Sequence, residues 1–194
     1  ILILLEASLR ISPAILGRHF ANGILSKYTI DHDGIYFSAS DCRGKTINFM
    51  KPNFKTAMYY NGYTWRHETD QYGFRNPRSR DHADIILLGD SFIYGHGLNI
   101  DKTVGVLLEK NTGYSVINMA RQGDCSFQET YLLSQYISHF RPRYIIYVFY
   151  ENDITDLYFY LTRDEMVEFI RQPIEAISDC HRDNLPHLQY SEFI

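Results

Sequence analysis

The sequence predicts an α/β protein: a three-layer α/β/α sandwich with a central parallel sheet, preceded by a small β-rich extension. Three observations carry this. Short continuous apolar runs recur at ADIILL (83–88), YSVIN (114–118) and RYIIYVFY (143–150). Runs of this length, apolar on both faces and bounded by turn residues, fit parallel strands covered by helices. Stretches of helical periodicity separate them, as a βαβ series with right-handed crossovers requires. Upstream, aromatic and β-branched residues alternate with turn signals instead.

Taken in order, residues 1–22 open on the five apolar residues ILILL and contain Pro13 and Gly17. Five residues cannot span a bilayer, which needs about 20. The segment reads either as a buried strand or helix start, or as the trailing end of a membrane anchor. Residues 23–82 form the β-rich extension. Asp33-Gly34 is a turn signal, TINFM a short strand, and Asn61-Gly62 within TAMYYNGYTW a strong hairpin signal. Residues 83–194 form the main domain. There Asp101 is expected to cap a helix with Val104, Leu107 and Leu108 on its apolar face and Gly113 at its end. Ser126 and Glu129 match a capping box before Phe127, Tyr131, Leu132, Tyr136 and Phe140. Thr162 and Glu165 match a second box before Met166, Val167, Phe169 and Ile170, with Pro173 beyond.

Composition excludes several classes. The 194 residues are 45% hydrophobic, which is ordinary for a globular chain and excludes wholesale disorder. A formal charge of −4 with no long basic run argues against nucleic acid as a partner. Cys42, Cys125 and Cys180 are odd in number and far apart, with no C-x-x-C, which argues against a zinc ribbon and leaves the redox compartment open. Asp84, Asp90, Glu151 and Asp153 do not make a spaced ligand set, so no metal and no cofactor is expected. GHG at 95–97 is not a phosphate loop. Aromatic residues are 15% of the chain; those in 54–65 suit either sheet packing or the wall of a substrate cleft.

Sites in open parallel sheets gather beyond the carboxyl ends of the strands. The three apolar runs are followed by Gly89-Asp90-Ser91, by NMARQGD ending on Gly123 and Asp124, and by Glu151-Asn152-Asp153. A serine on a tight strand-to-helix turn exposes its hydroxyl and becomes nucleophilic once a base takes its proton. Glycine at 123 lets a backbone N–H approach closely, and the Asn152 amide can supply a further donor. Such donors stabilise a tetrahedral oxyanion; removing one typically costs about 3–4 kcal/mol of transition-state stabilisation. The plainer roles are a turn serine, a turn glycine and a helix cap at Asn152-Asp153. Asp90 and Asp153 read as structural acids that hold loops near the site.

GDSFIYGHG (89–97) resembles the first block of the SGNH (GDSL-type) hydrolase family. The glycine of NMARQGD is similar to the second block, and YENDITD resembles the third, usually G-x-N-D. The resemblance spans about 70–155. It implies a flavodoxin-like SGNH hydrolase fold, with Ser91 as nucleophile and Gly123 and Asn152 as oxyanion donors. DQYGFRNP (70–77) resembles an upstream stretch of bacterial members carrying an N-terminal membrane segment, which implies a membrane-associated envelope location. Glu151 is a departure, since the third block usually has a glycine one place earlier or a small residue nearby. The family takes its base from a C-terminal D-x-x-H. Asp183 to His187 misses that spacing by one residue, and Asp179-Cys180-His181 is too tight. The expectation is therefore that the chain stops short of that block, with a rearranged triad through His187 as the alternative. His96 is read as pointing into the loop after Ser91. The implied activity is hydrolysis of a small-molecule or glycan O-acyl ester through an acyl-serine. An O-acetyltransferase of envelope polysaccharide and a non-catalytic binding module are the rival readings.

Overall fold

The computed structural model describes residues 32–40, 46–60 and 63–171. The 1–22 segment, Cys42, Asn61-Gly62, Pro173, Cys180, His181 and His187 lie outside the described residues. One helical turn, α1 (His32–Ile35), leads into β1 (Tyr36–Ser40), β2 (Thr46–Met50), β3 (Lys55–Tyr60) and β4 (Tyr63–Glu68). Then come β5 (Ile85–Leu88), α2 (Ser91–Tyr94), α3 (Val104–Thr112), β6 (Val116–Asn118), α4 (Ser126–Phe140), β7 (Tyr144–Tyr147), α5 (Asn152–Thr155) and α6 (Arg163–Arg171). Short 3₁₀ turns occupy Ile100–Lys102 and Asp156–Phe159.

The expected single central sheet does not form. The described residues make three small sheets: antiparallel β1–β2, antiparallel β3–β4, and a parallel sheet in the order β6–β5–β7. This mixed topology replaces the three-layer, flavodoxin-like α/β/α sandwich. Connections of a few residues can only return a strand antiparallel, so the upstream strands close on themselves as ribbons. Three apolar runs remain for parallel pairing.

The sheets are nonetheless packed together. Ile86 and Leu88 of β5 share a core with Phe127, Leu132, Tyr136 and Phe140 of α4, and with Ile47 and Phe49 of β2. On the opposite face, Ile85 and Leu87 pack with Met50, Met58, Trp65 and Tyr94. Alternate residues of one strand point to opposite faces, so β5 is covered by α4 on one side and by β3–β4 on the other. The third run differs. Tyr144 to Tyr150 are all substantially exposed, so the expectation of a helix-covered strand fails there.

Local signals were partly displaced. Gly113 ends α3 in the left-handed conformation, as expected, but Thr103 rather than Asp101 is the N-cap residue. Val104 and Leu107 are exposed, while Gly105 is buried where a Cβ would lie 3.2 Å from Asn118. Of the expected apolar face only Leu108 packs against the core, and the close approach of Gly105 completes the seat of α3. At α4 the cap is Cys125, whose N–H donates to Gln128 Oε1 at 3.0 Å; Glu129 is turned into the interior instead. The second box is present, with the Thr162 N–H on Glu165 Oε2 at 2.7 Å and the Glu165 N–H returning to Thr162 Oγ1 at 3.4 Å.

Candidate functional site

Ser91 is the first residue of α2, directly beyond β5. Asp90 caps that turn by accepting the Phe92 N–H at 2.9 Å. The Ser91 carbonyl accepts from the N–H groups of Gly95 and His96, which folds the following loop back over the serine's own turn. Gly95 has φ +83, and a Cβ there would sit 2.7 Å from Thr103, so both conformation and space call for glycine.

That loop is clasped from the stretch 70–76. The buried Arg75 guanidinium donates to the carbonyls of Tyr94, Gly95, Leu98 and Arg66, and its face lies over the Tyr94 ring. Asn76 and Asn118 form a second knot. The Asn118 N–H donates to Asn76 Oδ1 at 2.8 Å, and Asn118 Nδ2 reaches the Ile93 carbonyl of α2 at 2.7 Å. The Ala120 N–H returns to Asn118 Oδ1. The end of β6 is thus tied to the serine's helix by side chains that the sequence pattern did not single out. A buried polar side chain has no periodic signal; only the GFRN string hinted at it.

Ser91 and Gly123 line one open cleft of about 450 Å³. His96, Gln122, Asp124 and Gln128 contribute to its floor and sides, and Tyr36, Asn48 and Tyr160 complete it. The aromatic wall therefore comes from β1–β2 and from the segment after α5, not from residues 54–65. Trp65 of that stretch instead packs against His96, with ring centroids 4.7 Å apart and planes tilted by 50°. His96 thus stands on the cleft wall beside Ser91, with Nδ1 hydrogen-bonded to the Gln122 amide. Gly123 has φ +75, and a Cβ there would meet nothing within 4 Å, so its constraint is conformational rather than steric. Asn152, at the start of α5, is not among the cleft-lining residues; its Nδ2 donates to Asp156 Oδ2 at 2.9 Å.

Acids crowd beneath this edge. The Arg121 guanidinium donates to Asp124 Oδ2 at 2.7 Å and to the Asn48 carbonyl, pinning the β1–β2 ribbon to the Gly123 loop. Burial pushes Asp124 up, and Arg121 pulls it back. Glu129 is pushed up to about 8, first by burial and then by the nearby charges of Asp124, Asp153 and Asp90, with the Tyr147 hydroxyl acting the other way. Asp153 is raised by burial while its Oδ2 accepts the Tyr150 N–H at 2.8 Å. Asp84 lies elsewhere, bound to Ser115, and no group of three or more ligating side chains among the described residues is placed to hold a metal ion.

His67 and the one described cysteine, Cys125, serve the interior. His67 is held near 4 by burial and by Arg75, and bonds the Tyr94 hydroxyl at 2.7 Å. Burial raises the Cys125 thiol to about 11, which leaves it unreactive at neutral pH. No helix among the described residues is long and apolar enough to cross a membrane. No protein-family model matches the chain, and no curated protein matches it.

Proposed function

We propose that the chain is an SGNH-type acyl-transfer enzyme acting on oxygen esters, with Ser91 as its nucleophile. The observation that supports this reading is the convergence of Ser91 and Gly123, from separate strand ends, on one cleft that also holds an imidazole. Ser91 Oγ attacks the ester carbonyl and its proton passes to a base. The tetrahedral oxyanion is met by backbone N–H groups at Ser91 and Gly123, and collapse expels the alcohol. Water then releases the acid. His96 is the described histidine on the cleft wall and fills the base role in this reading, with Gln122 fixing its ring. In this reading Asn152 gives one amide N–H to Asp156 and turns its second toward the oxyanion.

A hydroxyl-rich acceptor in place of water would make the same acyl-serine an O-acetyltransferase. The hydroxyl and amide groups of Tyr36, Asn48, Gln128 and Tyr160 on the cleft wall favour such an acceptor. Product analysis with and without polysaccharide separates the two. The reading itself is tested by labelling with a fluorophosphonate probe and mapping the adduct. Labelling of Ser91 that is lost in both Ser91→Ala and His96→Ala, each folded by circular dichroism, is the expected result. Absent labelling of the folded chain would leave a non-catalytic module, with Asn152 a structural residue.

A further inference from the structure

We infer that Glu129 is a proton switch beneath the cleft: its protonated carboxyl keeps the turns that carry Ser91, Gly123 and Asn152 in place, and its ionisation disturbs all three together. What the switch controls rests on the acyl-transfer reading; the switch itself rests on the packing of four acids. Asp90, Asp124, Glu129 and Asp153 are 4, 3, 1 and 0% exposed. Each aspartate is the direct neighbour of a proposed site residue. Asp90 precedes Ser91, Asp124 follows Gly123 and Asp153 follows Asn152. The loops after β5, β6 and β7 thus deliver one aspartate each, and α4 brings Glu129 to them from its first turn. The charges of all three act on Glu129.

Buried carboxyls this close cannot all ionise. Among the described residues one cation bonds to the group, the Arg121 guanidinium, and Asp124 Oδ2 takes it at 2.7 Å. Asp90 accepts the Phe92 N–H at 2.9 Å, and Asp153 Oδ2 accepts the Tyr150 N–H at 2.8 Å. Glu129 differs. Both of its oxygens are sealed from water, and neither accepts from a backbone N–H or a cation. What acts on it is the Tyr147 hydroxyl, itself bonded to Ser126 Oγ at 2.8 Å. A buried acid without such donors keeps its proton, and like charges beside it strengthen the hold. The shared proton therefore resides on Glu129, whose carboxyl is pushed up to about 8. Tyr147 of β7 and the Cys125 thiol at the start of α4 also face it. Burial raises both, so they stay neutral over the same range.

Ionisation of Glu129 acts on the site in two ways. The new charge repels three acids that hold local backbone. Asp90 and Asp153 hold the turns beside Ser91 and Asn152, and Asp124 ties the Gly123 loop to Arg121 and so to Asn48 of β2. It also sets negative charge beneath the place where the oxyanion forms, where a fixed charge of like sign opposes the transition state. Both effects have one sign. The site is competent below the Glu129 midpoint and is lost as pH rises through it.

The test reads the cluster and the chemistry separately. NMR of the isotope-labelled 194-residue chain follows the amides of Ser91, Gly123 and Asn152 from about pH 6 to about pH 10. The expected result is one shared midpoint near 8 that is absent in Glu129→Gln. Asp153→Asn should move the midpoint to lower pH, because it removes a charge that holds the proton on. The fluorophosphonate probe reads the chemistry. Native labelling should slow about tenfold from about pH 7 to about pH 9, as loss of one proton at that midpoint dictates, and the Glu129→Gln profile should be flat. Glu129→Gln keeps the shape of the side chain, and circular dichroism checks that both variants fold. Amides without a common midpoint, or with one that persists in Glu129→Gln, overturn the inference. Labelling profiles that coincide for the native chain and Glu129→Gln overturn it too. A folded chain that is not labelled at any pH overturns the acyl-transfer reading instead, and the amide titration then decides the switch alone.

Discussion

β5 and β7 are neighbours in one parallel sheet, and as sequence they look alike. ADIILL and RYIIYVFY are both short apolar runs ending at a polar turn. Yet Ile86 is 0% exposed and Ile146 is 38% exposed. The difference lies in what stands on either side. β5 has a strand on each flank, α4 over one face and the β3–β4 ribbon under the other. Among the described residues, β7 has β5 on one flank and no strand on the other. An apolar run therefore reports that a segment forms a strand suited to burial; how much of it is buried depends on how many neighbours arrive.

The comparison can be broken most directly by truncating both strands. Ile86→Ala should cost about 2–5 kcal/mol, the range for a buried isoleucine that leaves a cavity. Ile146→Ala should cost less than about 1 kcal/mol, because its side chain is already wet in the native state. Urea unfolding at protomer concentrations where the chain is monomeric measures both. Equal losses would mean that β7 is as enclosed as β5.

The buried carboxylate facing β7 sharpens it next. Glu129 binds its proton more tightly folded, near 8, than unfolded, near 4.5. Its effect is absent below about pH 4.5. It grows increasingly unfavourable as pH rises and is complete above about pH 8. Glu129→Gln should therefore be more stable than the native chain by on the order of a few kcal/mol at about pH 9, with the gap closing at about pH 4. A pH-independent difference would mean that Glu129 does not titrate in this range.

The smallest effect concerns the turns that follow the two strands. Asp90 caps α2 through its side chain, whereas Glu151 precedes α5 with no side-chain cap bond. Asp90→Ala should cost about 1 kcal/mol and Glu151→Ala less than about 0.5 kcal/mol. Thermal melts of the two variants under the monomeric conditions above provide the measurement. A reversed order would show that the exposed acid, not the cap, holds its turn.

Much of the local structure was legible. The strand at TINFM, the periodic core face of α4, the Thr162–Glu165 box and the glycine stop at Gly113 each depend on neighbours in sequence. They emerged where pattern placed them. Errors cluster where two distant segments had to meet. The α4 cap moved from Ser126 to Cys125 because Glu129 was drawn under β7. The packing face of α3 kept Leu108 but shifted from Val104 and Leu107 to Gly105, where Asn118 lies close. His96, set aside from the sequence, came to the cleft because Arg75 and Gln122 bend and hold its loop. Asn152 was placed at a strand end as expected, but Asp156 engages its amide.

By itself, then, the sequence determined the strands, most helices and the positions of Ser91 and Gly123 at strand ends. Turn chemistry and hydrophobic period are written over a few consecutive residues, and those suffice. Only the tertiary structure decided that the described strands divide among three sheets, that β1–β2 walls the cleft, and that the residues of β7 stay exposed while those of β5 are buried. Those outcomes depend on contacts between residues tens of positions apart, where burial of one surface is settled by the arrival of another.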